Sequence, residues 1–182
     1  EGVSKSFMIG MVKFKEPLDF IRTQLLELKK KVVENTYLNQ IASIRKKMLN
    51  NSYYFHATDD PPEVRMMVYE LIKSIDCSFE AVVGRKIPAI FEKKHKSNDN
   101  EFYADILSHL LKNKFSTKPK LVLNISERGT STNNKNLEKA LNIAKQRYLN
   151  KNSEKEIKSN ITFNIQNHSI EPLLNIADYF CW

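Results

Sequence analysis

Glycine, cysteine and long apolar runs are all scarce in this chain, and each shortage removes a class of protein. The four glycines among 182 residues, Gly2, Gly10, Gly84 and Gly129, stand too far apart to build a phosphate-cradling loop. A P-loop or dinucleotide-binding Rossmann enzyme is thereby excluded. Cys77 and Cys181 lie far apart in apolar surroundings, so they form neither a disulfide framework nor a metal knuckle, and two free thiols fit a reducing compartment. No run approaches the ~18 apolar residues of a membrane span, and no charged-then-apolar leader opens the chain. The expectation is a cytoplasmic protein with no membrane partner. There is no internal repeat.

Hydrophobic residues make up 41% of the chain, enough apolar material for one core and not comfortably for two, so residues 1–182 read as a single domain. The net charge of +8 favours polyanionic partners and leaves nucleic acid open as one. Much of the excess is dispersed lysine on helix faces (Lys29, Lys30, Lys31, Lys46, Lys47, Lys93, Lys94, Lys96), which reads as solvated surface. The chain opens at Glu1 without an initiator methionine, and a helical pattern still runs at Trp182, so both ends read as cut.

Along the chain, Phe7 to Phe14 is an apolar run of strand length, and Leu18, Ile21, Leu25, Leu28 and Val32 then recur at helical spacing. Ile41, Ile44 and Met48 make a weaker helical stripe. Tyr53 to Ala57 (YYFHA) returns to the aromatic chemistry of a strand. Thr58-Asp59-Asp60-Pro61-Pro62-Glu63 is a strong helix start, with Val64, Met67, Val68, Leu71, Ile72 and Ile75 on the buried face. Phe79 to Ile87, Leu121 to Ser126 and Ile161 to Ile165 read as strands. Glu101 to Phe115, Asn136 to Leu149 and the stretch after Pro172 read as helices, while Glu92 to Asn100 and Asn150 to Ser159 read as loops or frayed ends. Alternation of strand and helix from Tyr53 onward predicts an α/β sheet covered by helices, and a shared site for the acidic segments after Ala57 and Ser126 would need the Leu121 to Ser126 strand beside Tyr53 to Ala57 or close to it.

The segment His56-Ala57-Thr58-Asp59-Asp60 places an imidazole and two carboxylates where a strand ends and a helix begins, the place where ligands gather in α/β sheets. The plainer alternative is that the aspartates cap the helix, with Arg65 pairing to one of them. Glu127 and Arg128 emerge at the end of the Leu121 to Ser126 strand beside Gly129. Asp178 is the one carboxylate in the apolar helix that buries Leu173, Leu174, Ile176, Ala177 and Phe180, so it requires a cation, a donor or solvent. His95 and His109 read as surface residues. His168 stands out for preceding the Asp178 helix, yet none of the three has metal-ligand spacing.

The segments YYFHATDDPPEVR (Tyr53 to Arg65), LVLNISERG (Leu121 to Gly129) and HSIEPLLNIADYFCW (His168 to Trp182) resemble a bacterial and phage family of unknown function with a ribonuclease H-like fold. Its members open with an Asp-Glu-Ser strand, carry a His-Ala then acidic segment before a helix, and close with a Leu-Gln-Ile-Ala-Asp-like helix. The resemblance implies a ribonuclease H-like mixed sheet flanked by helices, with its first strand and the end of its last helix lacking here. An open strand edge of that kind leaves a homodimer open. Asp178 matches the closing aspartate, and Asp59 and Asp60 match the acidic segment. Asn124 and Ser126 stand where such enzymes often offer an aspartate, leaving Glu127 as the nearest replacement, and Asn175 stands where glutamine is usual.

The resemblance thus implies a metal-dependent nuclease of a phage, mobile-element or defence setting, with Mg²⁺ or Mn²⁺ as cofactor. Asp60, Glu127 and Asp178 would be the metal ligands, because such hard cations take oxygen donors. His56, Asp59, Asp60, Glu127 and Asp178 would form the catalytic set, and Arg65 and Arg128 would contact substrate. The alternative is a non-catalytic module on the same fold that binds nucleic acid or protein.

Overall fold

Ile21, Leu25 and Val32, spaced by multiples of a helical turn, are buried along one face of α1 (Leu18–Glu34), which ends where Asn35 turns extended. The computed structural model describes residues 5–49, 53–116, 119–127, 133–151 and 156–182. Strand β1 (Ser6–Phe14) precedes α1. A 3-10 turn (Leu38–Gln40), α2 (Ala42–Leu49), α3 (Pro62–Ser74), β2 (Cys77–Arg85), α4 (Pro88–His95), α5 (Asp99–Leu111), β3 (Lys120–Ser126), α6 (Asn134–Lys151), β4 (Asn160–Gln166) and α7 (Leu173–Cys181) follow. Among the described residues the chain is mixed α/β, and no helix is long and apolar enough to cross a membrane.

The strands pair two by two. β1 and β2 run antiparallel, bracketed by hydrogen bonds from Lys86 N to Lys5 O and from Lys15 N to Asp76 O. β3 and β4 run parallel, Leu121 opposite Ile161 and Ile125 opposite Ile165, with α6 as the crossover between them. The single mixed sheet expected from the sequence is therefore two small sheets among the described residues, and β3 pairs with β4 rather than with residues 53–57.

The chain divides into two compact units, Glu1–Ile9 with Glu80–Gln166, and Gly10–Phe79 with Asn167–Trp182. In the first, one face of β3 and β4 packs with α5 and α6 around Leu107, Leu111, Phe115, Leu137 and Ile161. Gly84 is glycine because an added Cβ would lie 2.8 Å from Ile106 Cγ1. In the second, α1, α2, α3, α7 and residues 53–57 enclose Ile21, Leu25, Ile44, Phe55, Val64, Val68, Ile176 and Tyr179. There Gly10 admits Phe79, whose Cε2 would stand 2.6 Å from an added Cβ and whose ring stacks on Phe180.

Residues 53–57 are not a strand. Their alternation is real, since Tyr53, Phe55 and Ala57 are buried while Tyr54 and His56 are half-buried. Among the described residues no neighbouring strand pairs with them, and side chains satisfy the backbone in its place. α4, a further departure, occupies part of the stretch read as loop. It closes on Lys96 and Ser97, both at φ 52°, before Asn98 caps α5 through hydrogen bonds from Asn100 N and Glu101 N.

Candidate functional site

A buried extended segment must place every N–H and C=O. In residues 53–57 the Ala57 N–H donates to Asp178 Oδ2 at 2.8 Å, and the His56 N–H donates to Asp60 Oδ2 at 2.7 Å. The Tyr54 carbonyl accepts from Lys47 Nζ at 3.2 Å, and the His56 carbonyl accepts from Asp59 N and Asp60 N. Two carboxylates and an ammonium thus do what a paired strand would otherwise do. α3 starts at Pro62 with no side-chain cap, so the expected capping by Asp59 or Asp60 does not occur. Prolines at the start need fewer caps, because they lack the orphan N–H.

Asp60 is buried, and its Oδ2 also accepts from the Tyr179 hydroxyl at 2.8 Å. Lys47 Nζ stands 3.5 Å from Asp60 Oδ1 and 3.6 Å from Asp59 Oδ2, over the Tyr54 ring at 4.9 Å. Burial pushes the Asp60 carboxyl above its usual range, although the Lys47 charge and the bonds from Tyr179 and His56 pull the other way. Burial, reinforced by the Asp60 charge, likewise raises the Tyr53 and Tyr179 phenols. Lys47, read from the sequence as solvated surface, has a side chain only 13% exposed. Its position one residue before Met48 and three after Ile44, at the edge of the apolar stripe, is the signal that could have found it.

The His56 ring lies between two carboxylates, with Nδ1 3.6 Å from Asp59 Oδ2 and Nε2 3.9 Å from Asp178 Oδ1. Its Nδ1 is buried and makes no hydrogen bond among the described residues. Asp178 is 25% exposed at its side chain and Asp59 is 50% exposed, so both keep oxygens that an incoming group can reach. The partner that Asp178 requires is therefore the Ala57 N–H, with His56 beside it.

Arg65 makes no ion pair with the aspartates among the described residues; its guanidinium lies over the Trp182 ring, 4.7 Å from the centroid. The Arg22 guanidinium forks onto Glu171, at 2.7 Å through Nη2, while Glu171 Oε1 accepts from Leu173 N in the first turn of α7. His168 Nδ1 lies 3.2 Å from Asn175 Oδ1, and its ring stacks on Tyr54. These contacts hold α7, and with it Asp178, against the turn.

Glu127 belongs to the other unit, where it is exposed after β3 and its N–H donates to Gln166 O. Arg128 lies outside the described residues. His95 is buried, not a surface residue, because α4 and α5 enclose its ring between Phe91 and Phe102, with Nε2 3.1 Å from Asp105.

A divalent cation needs several oxygens free to turn toward it. Both Asp60 oxygens face donors of the protein, one Asp178 oxygen is held by Ala57, and Lys47 supplies positive charge between Asp59 and Asp60. Among the described residues no group of three or more His, Cys, Asp or Glu is placed to hold a metal ion, so they do not by themselves fit a two-cation centre. No family model, curated protein or solved structure matches the chain.

Proposed function

We propose that the second unit handles the phosphodiester backbone of nucleic acid, and hydrolyses it at His56. The observation that carries this reading is the imidazole set between Asp59 and Asp178, with a buried ring nitrogen that makes no hydrogen bond among the described residues. In hydrolysis His56 would take the proton of the attacking water at Nε2, since Nδ1 is buried, as the new P–O bond forms, and would return that proton to the departing oxygen as the old P–O bond breaks. Asp59 and Asp178 flank the ring nitrogens at 3.6 and 3.9 Å, the distances of ion pairs and not of hydrogen bonds. Dependence on Mg²⁺ or Mn²⁺ is proposed from the resemblance alone, and no step is routed through the ion.

A ribonuclease H-like fold is part of the same proposal. Its support is the coexistence of an antiparallel pair and a parallel pair joined through helices. The two pairs are separate among the described residues, so the proposal requires that the whole chain join them in one sheet, and an experimental structure of the whole chain that keeps them apart would remove it.

The second reading, binding without cleavage, is favoured by Asp60, whose oxygens serve the fold. Labelled single-stranded and duplex DNA and RNA, incubated with the purified chain and Mg²⁺, Mn²⁺ or chelator, separate the two. Cleavage that disappears in His56→Ala and Asp178→Asn supports hydrolysis, and its persistence in chelator removes the metal. Salt-sensitive binding without cleavage in any arm supports the binding module.

A further inference from the structure

The second unit, Gly10–Phe79 with Asn167–Trp182, has 11 basic and 11 acidic side chains, so the whole excess of +8 lies in the first. Part of that excess gathers at one end of a helix pair. α5 and α6 lie side by side and run in the same direction, since Lys139 pairs with Glu101 and, farther along both helices, Arg147 pairs with Asp105. Lys112, just after α5, and Lys151, the last residue of α6, therefore come at the same end. Neither makes an ion pair among the described residues.

The carboxylate that opposes them along this seam, Asp105, is already shared by Lys94 at 2.8 Å, by the Arg147 guanidinium and by His95. His109, on α5 between Asp105 and Lys112, registers the balance. Burial holds its imidazole below the usual range, and the Arg147, Lys112 and Lys94 charges push it the same way against Asp105. A helix C-terminus carries about −0.5 of a charge, so two such ends and Asp105 amount to about −2 against the cations of Lys94, Lys112, Arg147 and Lys151. The seam stays positive.

A small anion gains little from exposed cations in water, whereas a polyanion that meets several at once releases its own counterions. An anionic lipid surface rewards apolar side chains set among the cations, but on α5 and α6 Leu149 alone is an exposed large hydrophobic among the described residues. Phe102, Tyr103 and Tyr148, the aromatic rings of the two helices, are buried, so the seam has none to stack on a base. Phosphates are what it can hold.

We propose that the seam of α5 and α6, through Lys94, Lys112, Arg147 and Lys151, binds the phosphate backbone of nucleic acid without reading its sequence. This rests on the nucleic-acid reading above and adds to it a holding surface in the first unit.

The test is anisotropy of a labelled duplex of about 20 base pairs with the full chain, in chelator, from about 50 to 200 mM salt. Lys112→Gln with Lys151→Gln breaks no ion pair among the described residues, so its thermal midpoint should match wild type. It should bind every sequence more weakly and flatten the slope of log affinity against log salt by about two. Lys112→Arg with Lys151→Arg should bind as wild type does. Lys13→Gln with Lys31→Gln removes the same charge from exposed lysines of the second unit and should leave the slope as it was. Binding that Lys112→Gln with Lys151→Gln leaves unchanged, or that both Gln pairs weaken equally, overturns the seam and leaves the nucleic-acid reading standing. A marked preference for one sequence overturns contact through the backbone alone. Absence of binding by duplex and single strand alike overturns both readings, and capture by phosphatidylserine vesicles in their place would assign the seam to a lipid surface.

Discussion

Lys47 and Asp60 show how one buried pair can organise a candidate site without itself being reactive. Lys47 faces both aspartates and the Tyr54 carbonyl, and Asp60 ties the His56 backbone to Tyr179. Removing one member of such a pair leaves an uncompensated buried charge, so Lys47→Met should cost about 3 kcal/mol. Asp60→Asn added to it should recover much of that loss, because the amide oxygen still accepts from His56 N and Tyr179. The pH dependence follows from the raised Asp60 carboxyl. A raised acid binds more protons folded than unfolded, so its contribution is most favourable below the unfolded value and is lost as pH rises through the folded one. Without Lys47 that window extends upward, and urea melts should find Lys47→Met less damaging near about pH 5 than near about pH 8.

At the level of elements, α7 is the piece whose docking sets the candidate site. Asp178 accepts from Ala57, Tyr179 donates to Asp60, and Glu171 joins Arg22 to the first turn. Asp178→Ala strips the acceptor from a part-buried N–H and should lower stability by about 1 to 3 kcal/mol. Asp178→Asn keeps an acceptor oxygen, so it should stay near wild-type stability while losing hydrolysis. Chemical denaturation of both variants checks this; equal losses would assign the stabilisation to the charge of Asp178 instead of its geometry.

Across the whole chain, a buried carboxylate, Asp60, and a half-buried one, Asp105, respond to acid in opposite directions. Burial alone would raise Asp105, but hydrogen bonds from Lys94, Arg147 and His95, with the Lys94 charge, outweigh it and hold the carboxyl well below the usual range. A depressed acid stabilises above its unfolded value, about 3.9, and that contribution is lost as pH falls through the folded value. Asp105→Asn should therefore lower stability at neutral pH, and the loss should shrink below about pH 4. Thermal midpoints measured across that range decide it, and a loss that stays constant into acid would show that the charge of Asp105 is not what holds α4, α5 and α6 together.

Local chemistry determined most of the elements. Periodic apolar residues place α1, α3, α5, α6 and α7 within a few positions of where they lie, and the runs near β1, β2, β3 and β4 are strands. The cluster around His56 was also legible, because an imidazole, two carboxylates and a proline-led helix start stand within a few residues. Tertiary structure alone decided what those groups touch. Residues 53–57 alternate as a strand does, but strand character needs a partner backbone, and here the partners are Asp60, Asp178 and Lys47. Asp178 meets Ala57 across 121 positions, Arg65 finds Trp182 instead of an aspartate, and Lys47 turns inward from a stripe that reads as half solvated. Periodicity records which face of an element is buried. It carries no record of which distant donor or cation arrives there, since that depends on how the elements pack.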